Sequence, residues 1–126
     1  MIDDDVLTQR LFGGWLMQLG IDMVYANEGA SGLETARKII PDLILLDFHM
    51  QGMDGMETAK RLSEDPITKN IPLVLLTNED LSPEDQNLIN EVGIMEYIHK
   101  SIGQDDLRNH IAEILKIDKT DSATAK

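Results

Sequence analysis

The chain predicts an α/β domain whose parallel sheet is covered by helices on both faces. Three observations carry that expectation. Short apolar runs alternate with amphipathic helical stretches, the pattern of repeated strand–helix–strand units. The runs Leu43-Ile44-Leu45-Leu46 and Leu73-Val74-Leu75-Leu76 are continuously apolar, as strands buried on both faces require. A polar side chain closes each segment: Asp47 after the first, Thr77 after the second, and Lys100 after Tyr97-Ile98-His99.

The elements follow in order. Met1-Ile2 is a minimal apolar start before Asp3-Asp4-Asp5. Thr8, Leu11, Phe12, Trp15, Leu16 and Leu19 keep helical spacing up to a stop at Gly20, with Gly13-Gly14 expected to weaken that helix by about 1 kcal/mol per glycine. Met23-Val24-Tyr25-Ala26 reads as a strand, and the helical stretch from Ala30 to Ile40 ends at Pro41. Asp54 to Glu64 is the next helix, with Asp54-Gly55 as its turn and cap. Ser82 is placed to cap a helix with Pro83 in its first turn, running to Gly93. The last helix spans Gly103 to Lys116 with Leu107, Ile111, Ile114 and Leu115 inward, and the segment from Asp118 to Lys126 is a small, polar tail or the start of a linker. No internal repeat or second domain is evident.

In open α/β sheets, ligand chemistry gathers beyond the carboxyl ends of the strands. If the apolar runs are neighbouring parallel strands, the acids of the Asp3-Asp4-Asp5 cluster, Asp47, Thr77 and Lys100 all converge on one sheet edge. Carboxylates brought that close repel unless a cation or proton intervenes, and an all-oxygen set with open positions suits Mg²⁺ better than a softer metal.

Taken together, these residues resemble the receiver domains of two-component response regulators, of the chemotaxis-regulator type. The resemblance runs from about Ile2 to Lys116, with the anchor residues in the family's order and at matching separations. It implies a flavodoxin-like, doubly wound five-stranded sheet of order 2-1-3-4-5, with the receiver domain over residues 1–117. It also implies that Asp47 is the phosphoacceptor and that Asp3, Asp4, Asp47 and the backbone carbonyl of His49 hold Mg²⁺. Thr77 is then the switch hydroxyl, Tyr97 the aromatic that follows it, and Lys100 the phosphate-binding lysine. The chemistry is consistent: a carboxylate oxygen can attack a phosphoryl group in line if the developing charge is stabilised by a metal, a mobile ammonium and a hydroxyl. The expected donor is a phosphohistidine on a kinase or phosphotransfer protein. The expected downstream partner docks on the surface from Ser82 to Lys116. Glu79 lies where family members influence the access of water to the acyl phosphate.

The chain departs from the family pattern at several positions. Only Met1 and Ile2 precede the acidic pair, so the first strand reads as truncated. Ser101 stands where the family usually has proline, so the Lys100–Ser101 bond is either trans with a re-formed loop or strained, since a non-proline cis bond costs roughly 2.5–4 kcal/mol. Gln51 replaces the usual proline after Met50, and Asn78 the usual small residue after Thr77.

Composition sets further bounds. At 126 residues and 42% apolar, one domain with a substantial core is expected. There is no cysteine for a disulfide or thiolate site, and His49, His99 and His110 form no zinc pattern and receive no catalytic role. The seven methionines read as core filler. A net charge of −12, from 11 basic and 23 acidic residues, argues against direct nucleic-acid contact. No apolar run is long enough to span a bilayer, and a cytoplasmic location is expected. Two other readings compete with a phosphorylated switch that is not an enzyme in the ordinary sense. One is a receiver-like interaction module that is not phosphorylated. The other is an aspartate phosphatase, disfavoured because that chemistry wants a second aspartate where His49 stands.

Overall fold

The computed structural model describes residues 1–50 and 53–116, so the tail from Asp118 and the Gln51 substitution lie outside the described residues. Among the described residues, five helices surround a three-stranded parallel sheet. The chain order is α1 (Val6–Met17), α2 (Gly29–Ile39), β1 (Ile44–Asp47), α3 (Gly55–Glu64), β2 (Leu73–Thr77), α4 (Pro83–Val92), β3 (Glu96–His99) and α5 (Gln104–Leu115). The sheet order is β1-β2-β3, with Ile44 opposite Leu73 and Val74 opposite Glu96.

Side-chain alternation along the strands explains why their sequences are apolar without interruption. Ile44, Leu46, Leu73 and Leu75 face a layer that includes Ala36, Ala59, Leu62 and Ile89 of α2, α3 and α4. Leu45, Val74, Leu76 and Ile98 face Phe12, Leu16, Leu107 and Ile111 of α1 and α5. β1 and β2 therefore each fill two cores at once and are buried along their whole length, whereas β3 buries only Ile98.

The expected strand at Met23 to Ala26 does not form. Ala26 alone makes a bridge, to Ile2, and Ile2 makes a second bridge to Leu46 of β1. The pairing there is confined to residues 1–3: Ile2 N–H donates to Leu45 O at 2.7 Å, Asp47 N–H to Ile2 O at 2.8 Å, Ala26 N–H to Met1 O at 3.0 Å and Asp3 N–H to Ala26 O at 3.0 Å. The Met1 ammonium ends this short ladder by donating to Val24 O at 2.8 Å, and burial pushes its pKa down to about 6. Beyond it lies a cavity of about 690 Å³ between Val24, Leu43, Leu45, Ile39 and Ile114.

The helix boundaries follow their capping chemistry. Asp5 caps α1, accepting from Leu7 N–H at 2.9 Å and from the Thr8 hydroxyl at 2.9 Å. Asp54 caps α3 through Glu57 N–H, and Ser82 caps α4 through Asp85 N–H with Pro83 at its start. Ile40, immediately before Pro41, closes α2 in the left-handed region at φ 46°. α1 stops at Met17, two residues short of the apolar pattern's end at Leu19.

The two glycines of α1 are not equivalent. Gly13 is buried, and a Cβ there would strike the Tyr25 ring, with Cζ at 2.9 Å, whereas a Cβ at Gly14 would meet nothing within 4 Å. Gly14→Ala is expected to stabilise the fold by about 1 kcal/mol through helix propensity alone. A raised urea midpoint with unchanged slope would show it; no change would mean that α1 is frayed at Gly14.

Candidate functional site

The carboxyl ends of the strands carry the chemistry. Asp47 is the last residue of β1, Thr77 the last of β2, Lys100 follows β3 directly, and Asp3 follows the Ile2 bridge. These four expected residues therefore stand at one edge of one sheet. Asp3 is fully buried, Asp47 is 4% exposed and Thr77 1% exposed, so these polar groups sit within the domain rather than on a solvated rim.

The Lys100 ammonium joins the two buried acids. Its Nζ lies 2.8 Å from Asp47 Oδ1 and 3.1 Å from Asp3 Oδ2. The Asp3 contact is at ion-pair distance but lacks hydrogen-bond geometry, leaving Asp3 Oδ2 buried with no hydrogen bond; Asp3 Oδ1 accepts from Asp5 N–H at 2.8 Å. The Lys100–Ser101 bond is trans, because cis peptide bonds are absent among the described residues, and the lysine reaches the site nonetheless. The turn at Ser101 thus resolves as a re-formed trans loop.

The electrostatics match this crowding. Burial raises the pKa of Asp47; the Lys100 hydrogen bond opposes that and the Asp3 charge adds to it, for a net rise. Burial by itself would lower the pKa of Lys100, but the Asp47 hydrogen bond and the Asp3 charge outweigh it and hold the ammonium above its ordinary value.

One carboxylate oxygen from each of Asp3, Asp4 and Asp47 falls within a 4.8 Å cluster, two of the residues buried and Asp4 exposed. Hard oxygen donors, with a buried Asp3 oxygen that no hydrogen bond satisfies, fit a small divalent cation such as Mg²⁺. Asp5 does not join them, because its side chain is spent on capping α1.

The remaining expected residues are arranged around this centre. The Thr77 hydroxyl donates to Glu79 O at 3.1 Å and accepts from Glu79 N–H at 3.0 Å, so it is engaged with its own loop. Tyr97 is 41% exposed, its ring turned outward. His49 Nε2 and Glu79 Oε2, both exposed, stand 3.6 Å apart.

Two contributors were not foreseen. Gln9, on the buried stripe of α1 with Phe12, Gly13 and Leu16, donates from its amide to Asp3 O at 2.7 Å and to Asn27 Oδ1 at 3.1 Å, fixing the backbone that presents the acids. Its only signal in the sequence is a polar residue in phase with that stripe. In the sequence Gly55 signals only a turn and cap, yet its N–H donates to Phe48 O at 3.0 Å and a Cβ there would lie 2.7 Å from Phe48 Cα.

The family model for the response regulator receiver domain matches residues 1–112. This chain belongs to the response regulator receiver family. It is therefore a receiver domain of two-component signalling, a family of switches that work with histidine kinases and typically bind Mg²⁺. Response regulator PleD of Caulobacter vibrioides is 38% identical over 80 residues, covering 64% of this receiver and 18% of PleD. The receiver thus spans less than a fifth of that relative. Protein PilH of Pseudomonas aeruginosa is 26% identical over 115 residues, 91% of this chain and 94% of PilH. Among solved structures, chemotaxis protein CheY4 of Vibrio cholerae superposes with a TM-score of 0.83 at 26% identity, covering 90% of this receiver and 93% of CheY4. No helix among the described residues is long and apolar enough to cross a membrane.

Proposed function

We propose that this receiver takes a phosphoryl group from a phosphohistidine onto Asp47 and thereby switches a partner-binding surface. The observation that carries the reading is the meeting of Asp47, Asp3 and Lys100 Nζ within 3.1 Å at a buried strand edge beside the Thr77 hydroxyl. An Asp47 Oδ attacks phosphorus in line, the P–N bond breaks, and its electron pair returns to the donor imidazole, leaving an acyl phosphate. Mg²⁺, held by Asp3, Asp4, Asp47 and the His49 carbonyl, would supply charge neutralisation for the phosphoryl oxygens. Lys100 then exchanges a carboxylate oxygen for a phosphoryl oxygen, keeping its ammonium paired throughout. Water attack at phosphorus later releases phosphate and regenerates the carboxylate, with Glu79 tuning the approach of that water.

The switch follows from what Thr77 gives up. Its hydroxyl proton now goes to Glu79 O; a phosphoryl oxygen is a charged and stronger acceptor, so the hydroxyl turns toward Asp47. The space it leaves admits Tyr97, which alters the surface from Ser82 to Lys116, where Leu88, Met95 and Tyr97 are exposed. That surface is the proposed site for a downstream protein. We read the Ile2 bridges to Ala26 and Leu46 as the remnant of a five-stranded order 2-1-3-4-5, residues 1–117 as the receiver unit, and the location as cytoplasmic.

Intact-protein mass after incubation with Mg²⁺ and acetyl phosphate tests the reading. One added phosphoryl group is expected on the wild type and none on Asp47→Asn. A folded wild type that gains no mass would overturn it in favour of an interaction module that is not phosphorylated.

A further inference from the structure

Lys100 carries its charge on a flexible four-carbon stem, so where its ammonium lies depends on how firmly its backbone is held. In this chain that backbone sits in a tight turn, with Ile102 N–H donating to His99 O at 3.0 Å across Lys100 and Ser101. The Lys100 N–H is committed to Thr77 O at 2.7 Å, and Ile102 packs into the core layer of α1 and α5. The turn is closed a second time by side chains. His99 Nδ1 accepts from Ser101 N–H at 3.1 Å and lies 2.7 Å from Ser101 Oγ. Because the backbone N–H can only donate, Nδ1 presents its lone pair; the ring proton is then on Nε2 and the serine hydroxyl is also a donor.

We propose that His99 and Ser101 are positioning residues, a side-chain clasp that holds the trans turn so that Lys100 reaches Asp47 and Asp3. A serine at position 101 retains the N–H that a proline would lack, and its hydroxyl gives the imidazole a second donor. The clasp replaces ring rigidity with two hydrogen bonds to one acceptor. The inference rests on the reading of Lys100 as the phosphate-binding lysine, but its geometric content can be measured without phosphorylation.

The test uses the full chain and the variants Ser101→Ala, Ser101→Thr and His99→Ala. The order of the Lys100 side chain is followed by NMR relaxation of its labelled ε-methylene, amide hydrogen exchange is followed at Ile102, and the rate of mass gain with acetyl phosphate and Mg²⁺ is measured in parallel. Ser101→Ala and His99→Ala are expected to loosen the Lys100 side chain, speed exchange at Ile102 and slow phosphorylation several-fold, with Ser101→Thr restoring all three. Unchanged Lys100 order and Ile102 exchange in both alanine variants would overturn the clasp, whatever the rates. A loosening that Ser101→Thr reverses, in a protein that gains no phosphoryl group, would uphold the clasp and sink the phosphorylation reading alone.

Discussion

Lys100→Met is expected to destabilise the metal-free protein by about 3 kcal/mol at neutral pH, the cost of leaving buried carboxylates without their counter-charge. Lys100 is 9% exposed at its side chain and its ammonium is shared by Asp3 and Asp47, so no solvent screen replaces it. Breaking a buried ion pair costs about 3–5 kcal/mol, and the low end applies because Asp47 can take up a proton. Its folded pKa is already raised, and losing the lysine raises it further. A carboxyl with a raised folded pKa binds more protons folded than unfolded, so between the unfolded value of 3.8 and the folded one stability falls as pH rises. The deficit of the variant should therefore shrink on acidification through that window. The alkaline limb behaves differently: the ion-pair stabilisation of wild-type Lys100 is fully present below 10.5 and is lost as pH rises through its higher folded value, a loss the methionine variant cannot show. Mg²⁺ should narrow the neutral-pH gap by binding the folded acids. Urea midpoints at about pH 7.5 and about pH 5, with and without Mg²⁺, check each part; equal midpoints at neutral pH would mean the buried acids do not need the ammonium.

The residues that were easiest to place are those that close a strand. β1 and β2 fill two cores each, so their apolar runs were unambiguous, and Asp47 and Thr77 were fixed at the sheet edge by following them. Met23 to Ala26 has strand composition but forms only the Ala26 bridge, because a ladder depends on a neighbour, which composition does not specify, and here the pairing is confined to Ile2. The run Asp3-Asp4-Asp5 could not be divided by pattern alone, since any of the three acids could cap α1; packing gave that task to Asp5 and buried Asp3. Ser101 left two backbone outcomes open, and what decided between them was a hydrogen-bond partner, the His99 ring, to which the sequence assigned no role. Gln9 and Gly55 carry little local signal because both act on backbone atoms outside their own helices.

Gly55 provides the sharpest contrast with Gly14, because the same substitution should have the opposite sign. Helix propensity alone favours alanine over glycine by about 1 kcal/mol in a helix interior, which applies at Gly14 inside α1 and less at Gly55, the first residue of α3. At Gly14 nothing opposes that gain. At Gly55 a Cβ would fall well inside contact distance of Asp47 O, 2.7 Å from Phe48 Cα and 2.9 Å from Phe48 O. These are backbone atoms at the end of a strand buried on both faces, so no flexible side chain can swing away, and relief requires α3 to retreat or the Asp47–Phe48 segment to shift. Overpacking of this kind costs typically 1–3 kcal/mol, and the upper part of that range is expected. The shift would also weaken the Gly55 N–H bond to Phe48 O and displace the Asp47 carboxylate from Lys100. Gly55→Ala should therefore lower the urea midpoint and slow phosphoryl uptake from acetyl phosphate together, whereas Gly14→Ala raises the first and leaves the second unchanged. A stabilised Gly55→Ala protein would mean that α3 can move off β1 at little cost, and that the site does not depend on that contact.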